Sequence, residues 1–177
     1  HVGCYAENLG WVAALLDREQ RRAVVCGHQG RPICSAARES KDLDFLVAVT
    51  SAFQLQDSES FRPSVAVMLN LAPDHLDHFA SREAYAQAVG RVFAHQEPFD
   101  WTIVQSEALA TLRQLGLAPR SKVITFSADD RGADLWLDRG LLLSQLPGWE
   151  GPLLDTATAA LRGPHHAENL MAALAVG

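Results

Sequence analysis

Cysteine is scarce in this chain of 177 residues, which contains only Cys4, Cys26 and Cys34. Their number is odd and no two of them stand in a CxxC spacing. The sequence therefore predicts neither a disulfide framework nor a structural zinc site. A reducing compartment suits such a chain, and we expect a cytoplasmic location.

Long apolar runs and basic clusters are also missing. No apolar run approaches the roughly 20 residues of a membrane-spanning helix, so no membrane span is expected. The net charge is −6 and Lys and Arg are not clustered, which argues against nucleic acid as a partner because such binding needs a basic surface. The composition is that of a globular protein. Its length suffices for one well-cored domain, and we expect residues 1–177 to form a single domain.

Short apolar strands alternate with amphipathic helices along the first two thirds of the chain. This alternation is typical of βαβ units, in which helices cover both faces of a parallel sheet. The segment 64–70 is aliphatic on both faces, and we expect it to be a central strand. Strands are predicted at 22–26, 45–50, 64–70, 101–105 and 122–126, and helices at 6–18, 33–38, 82–95, 107–115 and 165–176.

The last third changes character. Apolar segments at 135–137 and 141–143 flank Asp138-Arg139-Gly140, a turn sequence typical of a β-hairpin. The segment 153–161 is rich in Ala and Thr and is predicted to be another strand. The fold class expected is therefore a three-layer α/β/α domain with a mainly parallel sheet and a small antiparallel extension over residues 134–161.

A histidine-rich loop directly follows the predicted strand 64–70 and contains Asp74, His75, Asp77 and His78. Ligands of open α/β sheets bind at the carboxyl ends of the strands, and these side chains could hold a divalent metal. A metal-dependent hydrolase is possible on this evidence. The alternative is that the polar residues cap the next helix and bond their own backbone.

Two further polar segments follow predicted strands. Gln54, in the segment 51–56, could bond a ligand. The start of the last helix could hold an anion or a nucleotide base through free amide groups and side chains, although ordinary helix capping is the alternative. Its polar residues are His165, His166, Glu168 and Asn169.

Three segments, in this order, resemble the central domain of the Mur ligases, the ATP-dependent enzymes that add amino acids to the peptidoglycan precursor. TSAFQLQ at 50–56 resembles the family's SSFQLE, and LNLAPDHLD at 69–77 resembles LNxxxDHxD. GPHHAENLMAALA at 163–175 resembles GxHNxxNxxAALA. The SFQLE form is similar to that of the family branch that adds D-glutamate to UDP-N-acetylmuramoyl-L-alanine. The resemblance covers essentially the whole chain.

The resemblance implies ATP and Mg²⁺ as cofactors and a P-loop-like fold. It also implies a parent protein with further domains before and after this one, and a nucleotide-sugar precursor or a protein as partner. The family's site residues are carried over position by position. They are His75 for the metal, His165 and Asn169 for the nucleotide, and His28, Ser51 and Gln54 for the precursor.

Other family positions differ in this chain. The GTxGKT phosphate loop aligns with HVGCYA at 1–6, so Tyr5 stands where the family has lysine and Ala6 where it has Ser or Thr. Val49 replaces a metal-binding glutamate, and Val89 replaces a carbamylated lysine. These groups stabilise the charge that develops when an acyl phosphate forms. We therefore assign no catalytic residue and expect an impaired ligase or, alternatively, a non-catalytic pseudoenzyme that binds or regulates.

Overall fold

The computed structural model describes residues 2–28, 30–72, 74–159 and 163–177, with side chains from residue 8 onward. The helices are α1 (Val2–Arg18), α2 (Ile33–Arg38), α3 (Ala52–Gln56), α4 (Arg82–Gly90), α5 (Ser106–Gln114) and α6 (Pro164–Val176). The strands are β1 (Ala23–Gly27), β2 (Phe45–Val49), β3 (Val65–Met68), β4 (Trp101–Gln105), β5 (Lys122–Ser127), β6 (Leu135–Asp138), β7 (Leu141–Ser144) and β8 (Gly151–Asp155).

The strands form two sheets. β1 and β2 pair in parallel, and the larger sheet has six strands in the order β3-β4-β5-β6-β7-β8. The first four strands of the larger sheet are parallel, whereas β7 is antiparallel to both β6 and β8. The predicted fold class, a mainly parallel sheet with a small antiparallel extension, is confirmed.

Helices cover both faces of the larger sheet, as the two sides of β4 show. Ile103 belongs to a buried cluster with Met171 of α6. Its neighbour Val104 belongs to a second cluster with Leu109 and Leu112 of α5. Because successive side chains of a strand point to opposite faces, α6 and α5 lie on opposite sides of the sheet. The fold therefore has three layers.

Helix α1 connects the small sheet to the large one. Val12 and Leu16 pack with Ala173 of α6, and Val47 of β2 adjoins the same cluster. Within the residues that the structure describes, β2 pairs with β1 alone and β3 with β4 alone. The two sheets are thus held together by helix packing rather than by strand pairing. No helix in the described part of the chain is long and apolar enough to cross a membrane.

The prediction that the strand at 64–70 is central was wrong, because β3 is an edge strand of the six-stranded sheet. Ala66 and Met68 are buried as expected, but Val65 is 37% exposed. β4 is an interior strand between β3 and β5, and its residues from Thr102 to Gln105 are all buried. An apolar composition indicates that a strand is covered by helices and does not indicate which strands lie beside it.

Two predicted boundaries also needed correction. The strand expected at 153–161 is observed as β8, which ends at Asp155. The chain turns there because Ala157 N donates to Asp155 Oδ1 at 2.9 Å and Thr158 Oγ1 donates to Asp155 O at 2.6 Å. Residues 160–162 of this prediction lie outside the described residues. The helix expected up to residue 95 is α4, which ends at Gly90 and is followed by one 3₁₀ turn, Arg91–Phe93.

A buried carboxylate anchors the amino end of β4. Asp100, 4% exposed, accepts from Arg62 Nε at 2.9 Å and from Glu97 N at 2.7 Å. The hydrogen bond from Arg62, followed by that from Glu97, lowers the pKa of Asp100 below its ordinary value. The ionised form is therefore the one that the fold stabilises.

Replacing Asp100 by Asn should lower the thermal unfolding midpoint at pH 7 by a few degrees. A lowered pKa in the folded state contributes stability above the ordinary Asp pKa of about 3.9 and loses it as pH falls through the lowered value. The difference between wild type and Asp100→Asn should accordingly shrink below pH 4. Thermal melts between pH 3 and pH 7 measure it, with the exposed Asp57→Asn as the matched control. A pH-independent difference would contradict this assignment.

Candidate functional site

A cavity of about 340 Å³ lies at the carboxyl ends of β3 and β4. Its walls come from the loop after β3, from the end of β4 and from the first two turns of α5 and α6. Ligands bind at this edge in open α/β sheets, and the cavity is therefore the best-placed candidate site. Its polar lining side chains are Asn70, Gln105, Glu107, Thr111, His165, Glu168 and Asn169.

Gln105 is the last residue of β4 and the N-cap of α5. Its Oε1 accepts from Ala108 N at 2.9 Å, which satisfies one of the free amides at the helix start. The same side chain also hydrogen-bonds Glu168. Gln105 is 9% exposed. Its carbonyl is thus engaged by the helix, and its amide nitrogen is left for the carboxyl of Glu168.

Glu168, on the second turn of α6, ties that helix to the end of β5. Its Oε1 accepts from Ala128 N at 3.1 Å. Burial raises the pKa of the Glu168 carboxyl, and the hydrogen bonds from Ala128 and Gln105 oppose the rise. Nearby, His165 also lowers this pKa and Asp129 raises it. The carboxyl is therefore held in a fixed, partly desolvated position on the cavity wall.

The two residues expected at a nucleotide are brought together. His165 is exposed and Asn169 is 4% exposed, and both line the cavity. The backbone oxygen of Asn169 accepts from Asn8 Nδ2 at 2.7 Å, which fixes α6 against α1. Among the described residues, neither Lys nor Arg lines the cavity. With two glutamates and no permanent cation, its lining favours neutral or amino-bearing groups over phosphate.

The histidine loop packs as an aromatic cluster. The ring centroids of His75 and His78 lie 5.0 and 4.8 Å from that of Phe53 in α3. His75 has φ 52°, and its backbone N donates to Asp74 Oδ1 at 2.8 Å. In the described part of the chain, no group of three His, Cys, Asp or Glu side chains is placed to hold a metal. The histidine loop therefore does not supply a group of metal ligands within the described residues, and its two imidazoles pack on Phe53 instead.

Ser51 and Gln54 cap α3 reciprocally. Gln54 N donates to Ser51 Oγ at 3.3 Å, and Ser51 N donates to Gln54 Oε1 at 3.0 Å, the arrangement of a capping box. His28 N donates to Val49 O at 2.8 Å, and its side chain is exposed. Because Gly27 pairs with Val49, all three expected precursor contacts lie at the carboxyl edge of the small sheet. They are separate from the cavity lining.

The apolar replacements at family positions are integrated into the packing where the structure describes them. Val89 is partly buried and touches two hydrophobic clusters. Val49 ends β2 opposite Gly27. Neither position offers a metal ligand or a charge. The side chains of Tyr5 and Ala6 lie outside the described residues.

Sequence reasoning missed Gln105, Asn70, Glu107 and Thr111 as members of the site. A usable signal was present for Gln105, since this polar residue ends an apolar strand immediately before a helix. Gln105 and the histidine loop both lie at the carboxyl end of a parallel strand, so the same rule applies to both. Thr111 lies on the outer face of α5 by its sequence pattern, so its place in the cavity lining depends on tertiary packing.

A mainly parallel sheet with helices on both faces, and a cavity at the carboxyl ends of its strands, places the chain in the class of three-layer α/β domains. The family model described as "Mur ligase middle domain" matches residues 32–177. The chain belongs to this family, and the resemblance inferred from its three motifs is confirmed.

Curated relatives match most of this chain. A "UDP-N-acetylmuramoylalanine--D-glutamate ligase" from Pelotomaculum thermopropionicum is 34% identical over 154 residues, covering 86% of this chain and 33% of that protein. One of the same name from Myxococcus xanthus is 35% identical over 158 residues, covering 86% of this chain and 34% of that protein. The chain thus spans about a third of the length of these relatives.

Solved structures support the fold. A UDP-N-acetylmuramoyl-L-alanyl-D-glutamate--2,6-diaminopimelate ligase superposes with a TM-score of 0.69 at 22% identity, covering 95% of this chain and 39% of that one. A MurF ligase from Thermotoga maritima, solved in complex with ADP, gives 0.60 at 14% identity, covering 96% and 41%. At these identities the likeness concerns the fold alone.

Replacing Gln105 by Leu should destabilise the chain by about 1–2 kcal/mol, because it removes both the cap of α5 and the hydrogen bond to Glu168. Urea unfolding followed by circular dichroism measures the change. Gln114→Leu, at the exposed end of the same helix, makes the same substitution without touching the cavity and should change stability by less than about 0.5 kcal/mol. Equal effects of the two substitutions would show that Gln105 is not a structural member of the site.

Proposed function

We propose that this chain is the nucleotide-holding middle part of a longer, cytoplasmic ATP-dependent ligase that adds D-glutamate to a UDP-N-acetylmuramoyl precursor. The proposal rests chiefly on one observation: His165 and Asn169, which the family motif assigns to the nucleotide, line the same cavity. The names of the curated relatives support the amino acid and the precursor. Their greater length supports flanking domains before and after this chain.

The cavity fits the base end of a nucleotide better than the phosphate end. It is bordered by amide, carboxylate and imidazole groups, which can exchange hydrogen bonds with the edge of a heterocycle. Phosphates need cations or several free backbone amides, and the described lining contains no Lys or Arg. In this proposal the base enters the cavity and the phosphates remain outside it.

The described residues do not fit a complete magnesium site. Mg²⁺ prefers oxygen ligands in octahedral geometry, and the histidine loop offers one candidate contact, His75, beside the Asp74 carboxylate. The two side chains lie 3.7 Å apart at their nearest nitrogen and oxygen atoms. We therefore propose His75 as a single weak metal contact.

The precursor would lie at the carboxyl edge of the small sheet, against His28, Ser51 and Gln54. Phe53 connects this edge to the histidine loop, because its ring contacts His75. The loops after β2 and β3 are therefore adjacent. A nucleotide in the cavity and a precursor at the small sheet would approach the same region from two sides.

A second candidate is a domain that binds nucleotide or precursor without ligating. Val89 favours it, since this residue is packed among apolar side chains where the family has a carbamylated lysine. Val49 likewise replaces a negative charge by an apolar group. Ligation loses electrostatic stabilisation of its transition state when such groups are absent. We propose that ligation by this chain is impaired and that base binding is kept.

The alternative of a metal-dependent hydrolase has no support from a cluster of metal ligands among the described residues.

Calorimetric titration of the folded chain with ATP, with and without Mg²⁺, tests the proposal. We expect weak binding, with a dissociation constant near 0.1–1 mM, that improves by no more than about threefold on adding Mg²⁺. Micromolar binding that requires Mg²⁺ would overturn the proposed impairment, because the phosphates and the ion would then be held by a complete site. Absence of any binding would overturn nucleotide binding itself.

The small gain in ATP affinity on adding Mg²⁺ should depend on His75. In His75→Ala the ATP affinity should be the same with and without Mg²⁺, because the one proposed protein contact to the ion is removed. His95→Ala, which removes an exposed histidine after α4, is the matched control and should keep the increment. If His75→Ala also keeps it, His75 is not a metal contact and the loop serves the packing on Phe53.

A further inference from the structure

We infer that Glu168 selects the base of the bound nucleotide by accepting a hydrogen bond from an amino group on the base edge. This inference rests on the nucleotide binding proposed above and extends it to a residue at one of the variable positions of the family motif. Glu168 would then be a specificity-determining residue, touching the ligand directly rather than acting through another side chain.

The position of Glu168 is set from two sides. Ala128 N donates to its Oε1 at 3.1 Å, and the side chain of Gln105 provides a second hydrogen bond. Gln105 is in turn held by Ala108 N at the start of α5. The carboxyl is therefore anchored to α5 and to the end of β5 before any ligand arrives. Such preorganisation lets a site discriminate between ligands without losing conformational entropy of its own side chains on binding.

Glu168 still has free acceptor sites, whereas the side-chain oxygens of the neighbouring Gln105 and Asn70 already accept hydrogen bonds. The carbonyl of Gln105 is engaged by Ala108 N, and Asn70 Oδ1 accepts from Ala72 N at 3.4 Å. An ionised carboxylate has about four lone-pair sites, of which the contacts to Ala128 and Gln105 occupy two. Because Glu168 lines the cavity, the remaining sites provide an acceptor for a donor on the ligand.

This acceptor distinguishes amino from oxo purines. Adenine carries an amino donor at position 6, whereas 6-oxo purines carry an acceptor there. A carboxylate facing a 6-oxo group would leave two acceptors opposed and unpaired, and a site built for a polar donor rejects an analogue that lacks it. The structure therefore favours an amino-bearing base such as adenine over hypoxanthine.

The Glu168→Gln variant should relax this preference for a geometric reason. Ala128 N, which donates to Oε1 in the wild-type chain, remains and holds the oxygen of the new amide on its side. The amide nitrogen is then turned to the cavity and offers a donor. That donor suits a 6-oxo group and opposes the 6-amino group.

Calorimetric titration with ADP and with inosine diphosphate at pH 8 tests the inference. We expect the wild-type chain to prefer ADP by roughly tenfold or more, and Glu168→Gln to reduce the ratio of the two dissociation constants to within about threefold. Glu107→Gln removes the same charge from the exposed mouth of the cavity. It should change both affinities by the same factor and keep the ratio.

The titrations distinguish base selection by Glu168 from nucleotide binding by the chain. If both nucleotides bind and Glu168→Gln leaves their ratio unchanged, base selection by Glu168 is overturned and nucleotide binding stands. If a folded wild-type chain binds neither nucleotide, both are overturned. Thermal melts establish that each variant is folded. Should Glu168→Gln fail to fold, Glu168→Asp withdraws the carboxylate by one methylene and should weaken ADP binding more than inosine diphosphate binding.

Discussion

The packing of α6 across the sheet is the contact on which the site depends. Met171, Ala172 and Ala173 are fully buried, and the helix lies against β4, β5, β6 and α1. Alanine side chains let the helix approach both layers closely, since little volume separates the backbones. The position of Glu168 and Asn169 at the carboxyl edge of β4 follows from this approach.

Hydrogen bonds to neighbouring elements of the fold hold the groups around the cavity in place. Gln105 caps α5, Glu168 binds the amide of Ala128, and the backbone oxygen of Asn169 binds Asn8. Each contact joins a different pair of elements. These contacts fix the polar groups of the cavity lining relative to the helices and to the end of β5. By contrast, Val49 and Val89 bring no charge to the positions where the family carries its metal chemistry.

The sequence predicted most elements because their hydrophobic periods were clear. β4 and α2 were predicted with their observed bounds. β6 and β7 were predicted within one residue, because their apolar runs flank a turn sequence. The position of β3 at an edge was not predictable, since its aliphatic pattern suits any strand covered by helices. The strand expected beyond Asp155 was wrong because a local Asx-type turn competes with extension there.

By itself, the sequence determined the order of strands and helices, the antiparallel extension and the three family motifs, because these are local patterns of apolar residues, turns and spacing. It also determined that His165 and Asn169 share a helix start. Only the tertiary structure decided that Gln105 and Glu168 meet, since they are far apart in the chain and belong to different layers. It also decided that His75 and His78 pack on Phe53, because ring contacts between α3 and the loop after β3 depend on how the two sheets are joined by helices.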